Sequence, residues 1–197
     1  MESLSELVVQ ATEVMSDTLC EVQDRSWEVP AGDVEWTCRA TAGHVADDLF
    51  SYASQVIAQP ADRYLPIEAV VDPSATNLEI LKAVSMCGRL LANAVRLADP
   101  SARAWHPYGT SDPDGFAAMG VVEVLVHTFD ITQGLGTDWT PPAALCEPVL
   151  RRLFPKAPSG DPAAVLLHCC GRRPLGERPQ LSEWAWDSTV RPAGFSL

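Results

Sequence analysis

The chain has 197 residues, 47% of them hydrophobic, and sets 14 basic against 26 acidic side chains for a net charge of -12. That content is enough for one sizeable core, and the acidic surplus repels phosphate backbones and anionic membrane leaflets, which excludes nucleic acid and membrane surfaces as partner classes. The opening MESLSELVVQ lacks a basic n-region and no apolar run approaches the roughly 20 residues that span a bilayer, so a cytoplasmic protein is expected.

In chain order, Leu4, Leu7, Val8, Ala11, Val14, Met15, Leu19 and Val22 recur at helical spacing, predicting a first helix over Ser3–Gln23 that Trp27, Pro30 and Gly32 bring to an end. A second helix is predicted from Thr37 as N-cap to Ala58, with Pro60 beyond it, and it carries His44. Asp72-Pro73-Ser74 is read as opening a third helix that closes at Asp99-Pro100. Ser101 to Gly115 is read as irregular. A fourth helix comes next, over Phe116–Gln133, and stops at Gly134 and Gly136. Two shorter helices are expected, one from Pro141-Pro142 to Leu153 and one from Asp161-Pro162 to Cys170, before an irregular tail, Arg172 to Leu197, whose Trp184 and Trp186 are available to pack over the bundle or over a site mouth.

The fourth helix is apolar on most faces, with Met119, Val121, Val122, Val124, Leu125, Val126, Phe129 and Ile131, which makes it the central helix of the fold. Glu123, His127 and Asp130 fall at i, i+4 and i+7 and share one face of it. A buried carboxylate and imidazole are costly unless paired or bound to a cation. With His44 from the second helix the chain can offer two imidazoles and one carboxylate to a divalent metal and leave coordination positions open, as catalytic zinc sites do. Asp130 is then placed to hold the second ring nitrogen of an imidazole and fix its tautomer. The structural alternative is a buried Glu123–His127 pair that only fixes packing, with His44 a partly exposed helix residue.

Six cysteines are scattered without Cys-x-x-Cys spacing, several within apolar helical patterns, and read as buried free thiols. The adjacent Cys169 and Cys170 point in different directions on a helix and do not converge on one ion. No His-Glu-x-x-His is present, so a zincin protease is unsupported, whereas an iron oxygenase with a two-His-one-carboxylate set fits the ligand types.

The segments EWTCRATAGHVA, 35–46, and VEVLVHTFD, 122–130, resemble the two metal-binding signatures of the DinB-like superfamily, and within it those of the N-terminal domain of mycothiol-dependent maleylpyruvate isomerases. The resemblance covers Leu4 to Leu135 and implies an all-α, DinB-like four-helix bundle. It implies a divalent metal, usually zinc with nickel or iron as alternatives, held by His44, Glu123 and His127. It also implies mycothiol or another low-molecular-weight thiol as cofactor. The expected organisation is a single metal-binding domain over 1–197, with the bundle at 3–135 and short C-terminal helices and tail at 136–197; a homodimer is compatible with it. Maleylpyruvate isomerases carry a further C-terminal domain, and the residues beyond Gly136 are too few and too rich in proline to match it.

Substrate groups would then be local. His106, in the loop Trp105-His106-Pro107-Tyr108-Gly109 before the metal helix, is a candidate catalytic residue, with a surface imidazole as the alternative. Arg172 and Arg173 are read as closing the last helix on its terminal carbonyls rather than clamping a carboxylate. Asp47 and Asp48 are read as solvated acids that could instead hold the amine of a thiol cofactor. The function expected is a metal-dependent thiol enzyme, a mycothiol S-transferase or isomerase acting on a small electrophile; the alternative is a binding protein for a divalent metal or small ligand with no turnover. S-transfer is preferred because the isomerase's second domain is missing.

Overall fold

A computed structural model describes residues 3–190; the stretch 191–197 of the predicted tail and the first two positions of the predicted domain lie outside the described residues. Six α-helices and isolated bridges, with no strand among the described residues, make the protein all-α. The helices are α1 Leu4–Cys20, α2 Cys38–Ala58, α3 Asn77–Leu97, α4 Pro113–Gly134, α5 Ala143–Leu153 and α6 Pro162–Cys169. Helices α1 and α2 each pack along both α3 and α4, which closes a four-helix bundle; α5 packs on α4, and α6 on α5.

Each start has a chemical cause. The Ser3 and Thr76 hydroxyls accept from Glu6 N and Glu79 N while those glutamates reach back, forming two capping boxes. Thr37 caps α2 as predicted, accepting from Ala40 N. Two boundaries differ from the sequence expectation. Asp72 does not open α3: its carboxylate accepts from Ser74 N and Oγ at 2.7 Å, closing a turn ahead of the Thr76–Glu79 box. Helix α4 begins earlier than Phe116, because Asp112 caps it by accepting from Gly115 N at 2.7 Å and Pro113 sits in the first turn.

Helix α4 is buried on every face and forms the axis of the core. By length and composition its 22 residues are apolar enough to cross a membrane, contrary to the sequence expectation, but 94% of its most apolar window is buried inside the bundle. The polar stripe masks the length of that run in the sequence. Close approach is made possible by missing side chains: a Cβ on Gly120 would stand 2.7 Å from Leu91 Cδ2 and 3.0 Å from Leu49 Cδ2. At the other end of α4 a Cβ on Gly134 would meet Pro30 O and Cys38 Sγ, so this glycine seats the loop between α1 and α2 against α4.

Candidate metal centre

The packing of α2 on α4 brings their polar faces together. His44, Glu123 and His127 each present one donor atom within 4.8 Å of the others, and the His44 and His127 rings meet edge to face with centroids 5.3 Å apart. His127 Nε2 lies 3.2 Å from Glu123 Oε2, and its Nδ1 is 2.9 Å from Asp130 Oδ2. Because Asp130 takes Nδ1, the ring is held with Nε2 facing the cluster. Asp130 is itself clasped by Arg172, whose Nε donates to Oδ1 at 3.2 Å and Nη2 to Oδ2 at 2.8 Å. Arg172 Nη1 also donates to Cys170 O at 2.8 Å. One arginine therefore closes the end of α6, as the sequence suggested, and also fastens α4, which the sequence did not show. Arg173 lies over the Phe129 ring and donates to Gln133 Oε1.

The electrostatics result from burial and pairing. Burial pushes the His127 pKa down, but its hydrogen bonds to Asp130 and Glu123 outweigh that and raise it to about 9. Burial pushes Glu123 up, yet the His127 hydrogen bond, with the charges of His127, His44 and Arg172, holds it below its ordinary value. Asp130 is likewise held low, against burial, by its hydrogen bonds to His127 and Arg172. His44 is lowered by burial and by the neighbouring His127.

Helix α2 contributes more than His44. Asp48 and Tyr52, at i+4 and i+8, share its face: Asp48 Oδ2 is 3.1 Å from His44 Nε2, and Tyr52 Oη donates to Glu123 Oε1 at 3.5 Å. Asp48 is not a solvated acid. Burial and the adjacent Glu123 charge, to which it is hydrogen-bonded, push its pKa well above the usual carboxylate range. Asp47 turns away and accepts from Ala69 N at 2.6 Å. The helical spacing from His44 was the available signal for Asp48 and Tyr52.

Around the cluster lies a cavity of about 640 Å³. Its lining includes the exposed Asp33, Glu35 and Trp36 from the loop before α2, with Trp36 edge-on to His44 at 4.6 Å, and also His106, Tyr108 and Trp186. His106 is 4% exposed, so the structure places it in the cavity wall and not on the surface. All six cysteines are free thiols, four of them buried, and Cys169 and Cys170 lie outside the His/Glu/His group. Burial pushes the Cys170 thiol far above its ordinary value.

No curated protein and no solved structure matches the chain. A family model, that of the mycothiol maleylpyruvate isomerase N-terminal domain, matches residues 8–132, a stretch that runs from α1 into α4 and includes all three residues of the cluster. The chain belongs to the mycothiol maleylpyruvate isomerase N-terminal domain family.

Proposed function

We propose that the protein is a metal-dependent enzyme that joins a low-molecular-weight thiol, mycothiol, to a small electrophile. The observation that carries this reading is the convergence of His44, Glu123 and His127 beside a cavity of about 640 Å³, within the size range of small-molecule sites. The residues fit a divalent ion, since two imidazoles and a carboxylate stand within 4.8 Å of one another and His127 has Nδ1 already occupied. A bound ion, zinc foremost for this donor set with nickel and iron as alternatives, supplies Lewis acidity that keeps a coordinated sulfur as thiolate at pH 7, where a free thiol of pKa about 8.5 is mostly protonated.

The chain's own residues do the rest. Asp130 fixes the His127 tautomer and Arg172 fixes Asp130. Tyr52 holds the Glu123 carboxylate in place by donating to it. Trp36, Tyr108 and Trp186 wall the cavity with apolar surface and limit water. The nucleophilic sulfur comes from outside the chain, because Cys170, beside Arg172, is buried and held protonated.

The reading is tested by elemental analysis of untagged protein together with product formation. Glu123→Gln and His127→Ala should lose most bound divalent metal, and His106→Ala should keep it; wild-type protein with mycothiol should give thiol conjugates from a panel of activated alkenes and epoxides. Equal metal content in all three variants, or no thiol-dependent product from any member of the panel, overturns it.

A further inference from the structure

His106 is held in one chemical form by its surroundings. Its Nδ1 accepts a hydrogen bond from the Tyr108 backbone N–H at 3.1 Å. A backbone amide can only donate, so Nδ1 carries no proton and the ring's hydrogen sits on Nε2. The cationic ring, with a proton on both nitrogens, would set two donors against each other there. Among the described residues nothing accepts from Nε2, and Nε2 is not among the fully enclosed polar atoms, so its N–H opens into the cavity that His106 lines.

The loop that carries it is clamped at several points. Ala104 and Ser111 pair through two backbone hydrogen bonds of 3.1 and 2.9 Å, and Gly109 N donates to His106 O across the tip, where Gly109 has φ of +115°. Trp105 is tied twice to the region after and within α2, by N to Pro60 O at 2.8 Å and by its carbonyl to Gln55 Nε2 at 2.6 Å. The ring itself stands among Tyr52, Tyr64, Tyr108, Phe116 and Trp186, with centroids 5.4 to 6.4 Å away. Tyr52 connects the two parts of the site, touching this cage with its ring and Glu123 with its hydroxyl. Among the described residues the Trp186 indole N–H in the same wall has no acceptor.

Among the described residues Arg172 is the one Lys or Arg in the lining, and it gives all three guanidinium nitrogens to Asp130 and to Cys170 O. It is not free to meet a ligand oxygen, whereas a carbonyl oxygen entering beside His106 finds a fixed N–H donor between flat aromatic faces.

We propose that His106 is a catalytic residue whose Nε2–H donates to the carbonyl oxygen when the electrophile is a conjugated α,β-unsaturated carbonyl compound; this rests on the thiol-transfer reading above. In the step, the thiol gives its proton to solvent, the sulfur lone pair forms a bond to the β carbon, and the C=C electron pair shifts so that negative charge collects on the carbonyl oxygen. His106 stabilises that oxygen by hydrogen bonding and keeps its own proton. Solvent returns one proton at the α carbon, so the product is the saturated thioether and thiol and alkene are consumed one for one.

The test compares 4-phenylbut-3-en-2-one with benzyl chloride, which reacts by halide displacement and develops no oxyanion. In His106→Phe the ratio of the two thiol-transfer rates should fall about 10²-fold against wild type, the usual effect of removing one oxyanion donor. His106→Gln, which keeps an N–H donor, should restore part of the ratio. A ratio unchanged in His106→Phe overturns the assignment. Nitrogen NMR of wild-type protein, read without thiol or metal, should show His106 as the Nε2-protonated neutral ring at pH 7, with that resonance shifting when saturated 4-phenylbutan-2-one is added. An Nδ1-protonated or cationic ring, or no shift, overturns it regardless of turnover. Failure of wild type to add thiol to either electrophile counts instead against the thiol-transfer reading.

Discussion

Asp130 governs how His127 is presented, and Arg172 governs Asp130. The Asp130 side chain is 3% exposed and takes both guanidinium bonds as well as the imidazole, so removing the arginine leaves a buried carboxylate with one partner. Arg172→Ala should therefore cost about 2–3 kcal/mol of stability in urea unfolding, below the full cost of an orphaned buried charge because His127 remains. The same variant should weaken zinc binding by about 10–100-fold in a competition titration, the range for losing a group that orients a ligand; unchanged zinc affinity would mean that Arg172 only packs. The metal-free protein should also show a pH signature. The folded His127 pKa of about 9 lies above the ordinary 6.5, so its pairing stabilises fully below about pH 6.5 and is lost as pH rises through 9. The gap in unfolding free energy between chelated wild type and His127→Gln should narrow by at most about 3 kcal/mol from pH 6.5 to 9.5, and a gap independent of pH would contradict the pairing. At this scale the i, i+4, i+7 stripe was legible because carboxylates and an imidazole stand out on an otherwise apolar helix. Asp48 was not, since next to Asp47 it looks like half of a solvated pair, and only the packing of α2 on α4 separates their fates. The Arg172 clasp depends on the chain returning from α6 to α4, a contact of 42 residues' separation that no local pattern carries.

Helix α4 positions the site because α1, α2, α3 and α5 all pack on it. Its start was hidden in Asp112-Pro113-Asp114-Gly115, whose residues favour turns as much as a cap with a first-turn proline. The opposite error occurred at Asp72-Pro73, where the same pair makes a turn. The downstream residues distinguish the two Asp-Pro pairs: at α4 the apolar helix begins at once, whereas Thr76 and Glu79 provide a better cap for α3. The helix interiors were legible from their 3.6-residue period, which burial imposes directly. The far end of α4 meets the loop of Trp36 through Gly134, where an added Cβ would strike Pro30 O, Cys38 Sγ and Ala31 Cα. Because two of these neighbours are backbone atoms that cannot rotate aside, Gly134→Ala should destabilise by about 1–3 kcal/mol, measured by urea unfolding. A neutral result would show that the loop is free to lift off α4, and with it that part of the cavity lining.

At the scale of the whole molecule, the family match ends at residue 132 while the cavity does not. Residues beyond it supply Arg172, Trp184 and Trp186, and this segment is sewn to the bundle by Asp187 N to Leu153 O at 2.8 Å and Ser111 Oγ to Ser188 O at 3.1 Å. Trp186 is 5% exposed and packs against His106, Tyr108 and Trp184, so Trp186→Ala should cost about 3–4 kcal/mol and open the wall of the site. Thermal unfolding with the helical content of the folded state as control checks this; a loss under about 1 kcal/mol would show that the tail rests loosely on the bundle. The tryptophans stand out in the sequence as able to cover a site mouth, but which face they cover is a matter of tertiary packing alone. In the proposed function an external thiol sulfur binds at a divalent ion held by His44, Glu123 and His127. Cobalt-substituted protein titrated with mycothiol tests it most directly, because thiolate ligation to cobalt gives an intense ultraviolet charge-transfer band that nitrogen and oxygen ligands lack. The band should grow to saturation in wild type and be absent in Glu123→Gln, whereas cobalt-loaded wild type that shows no such band at saturating mycothiol would contradict the claim.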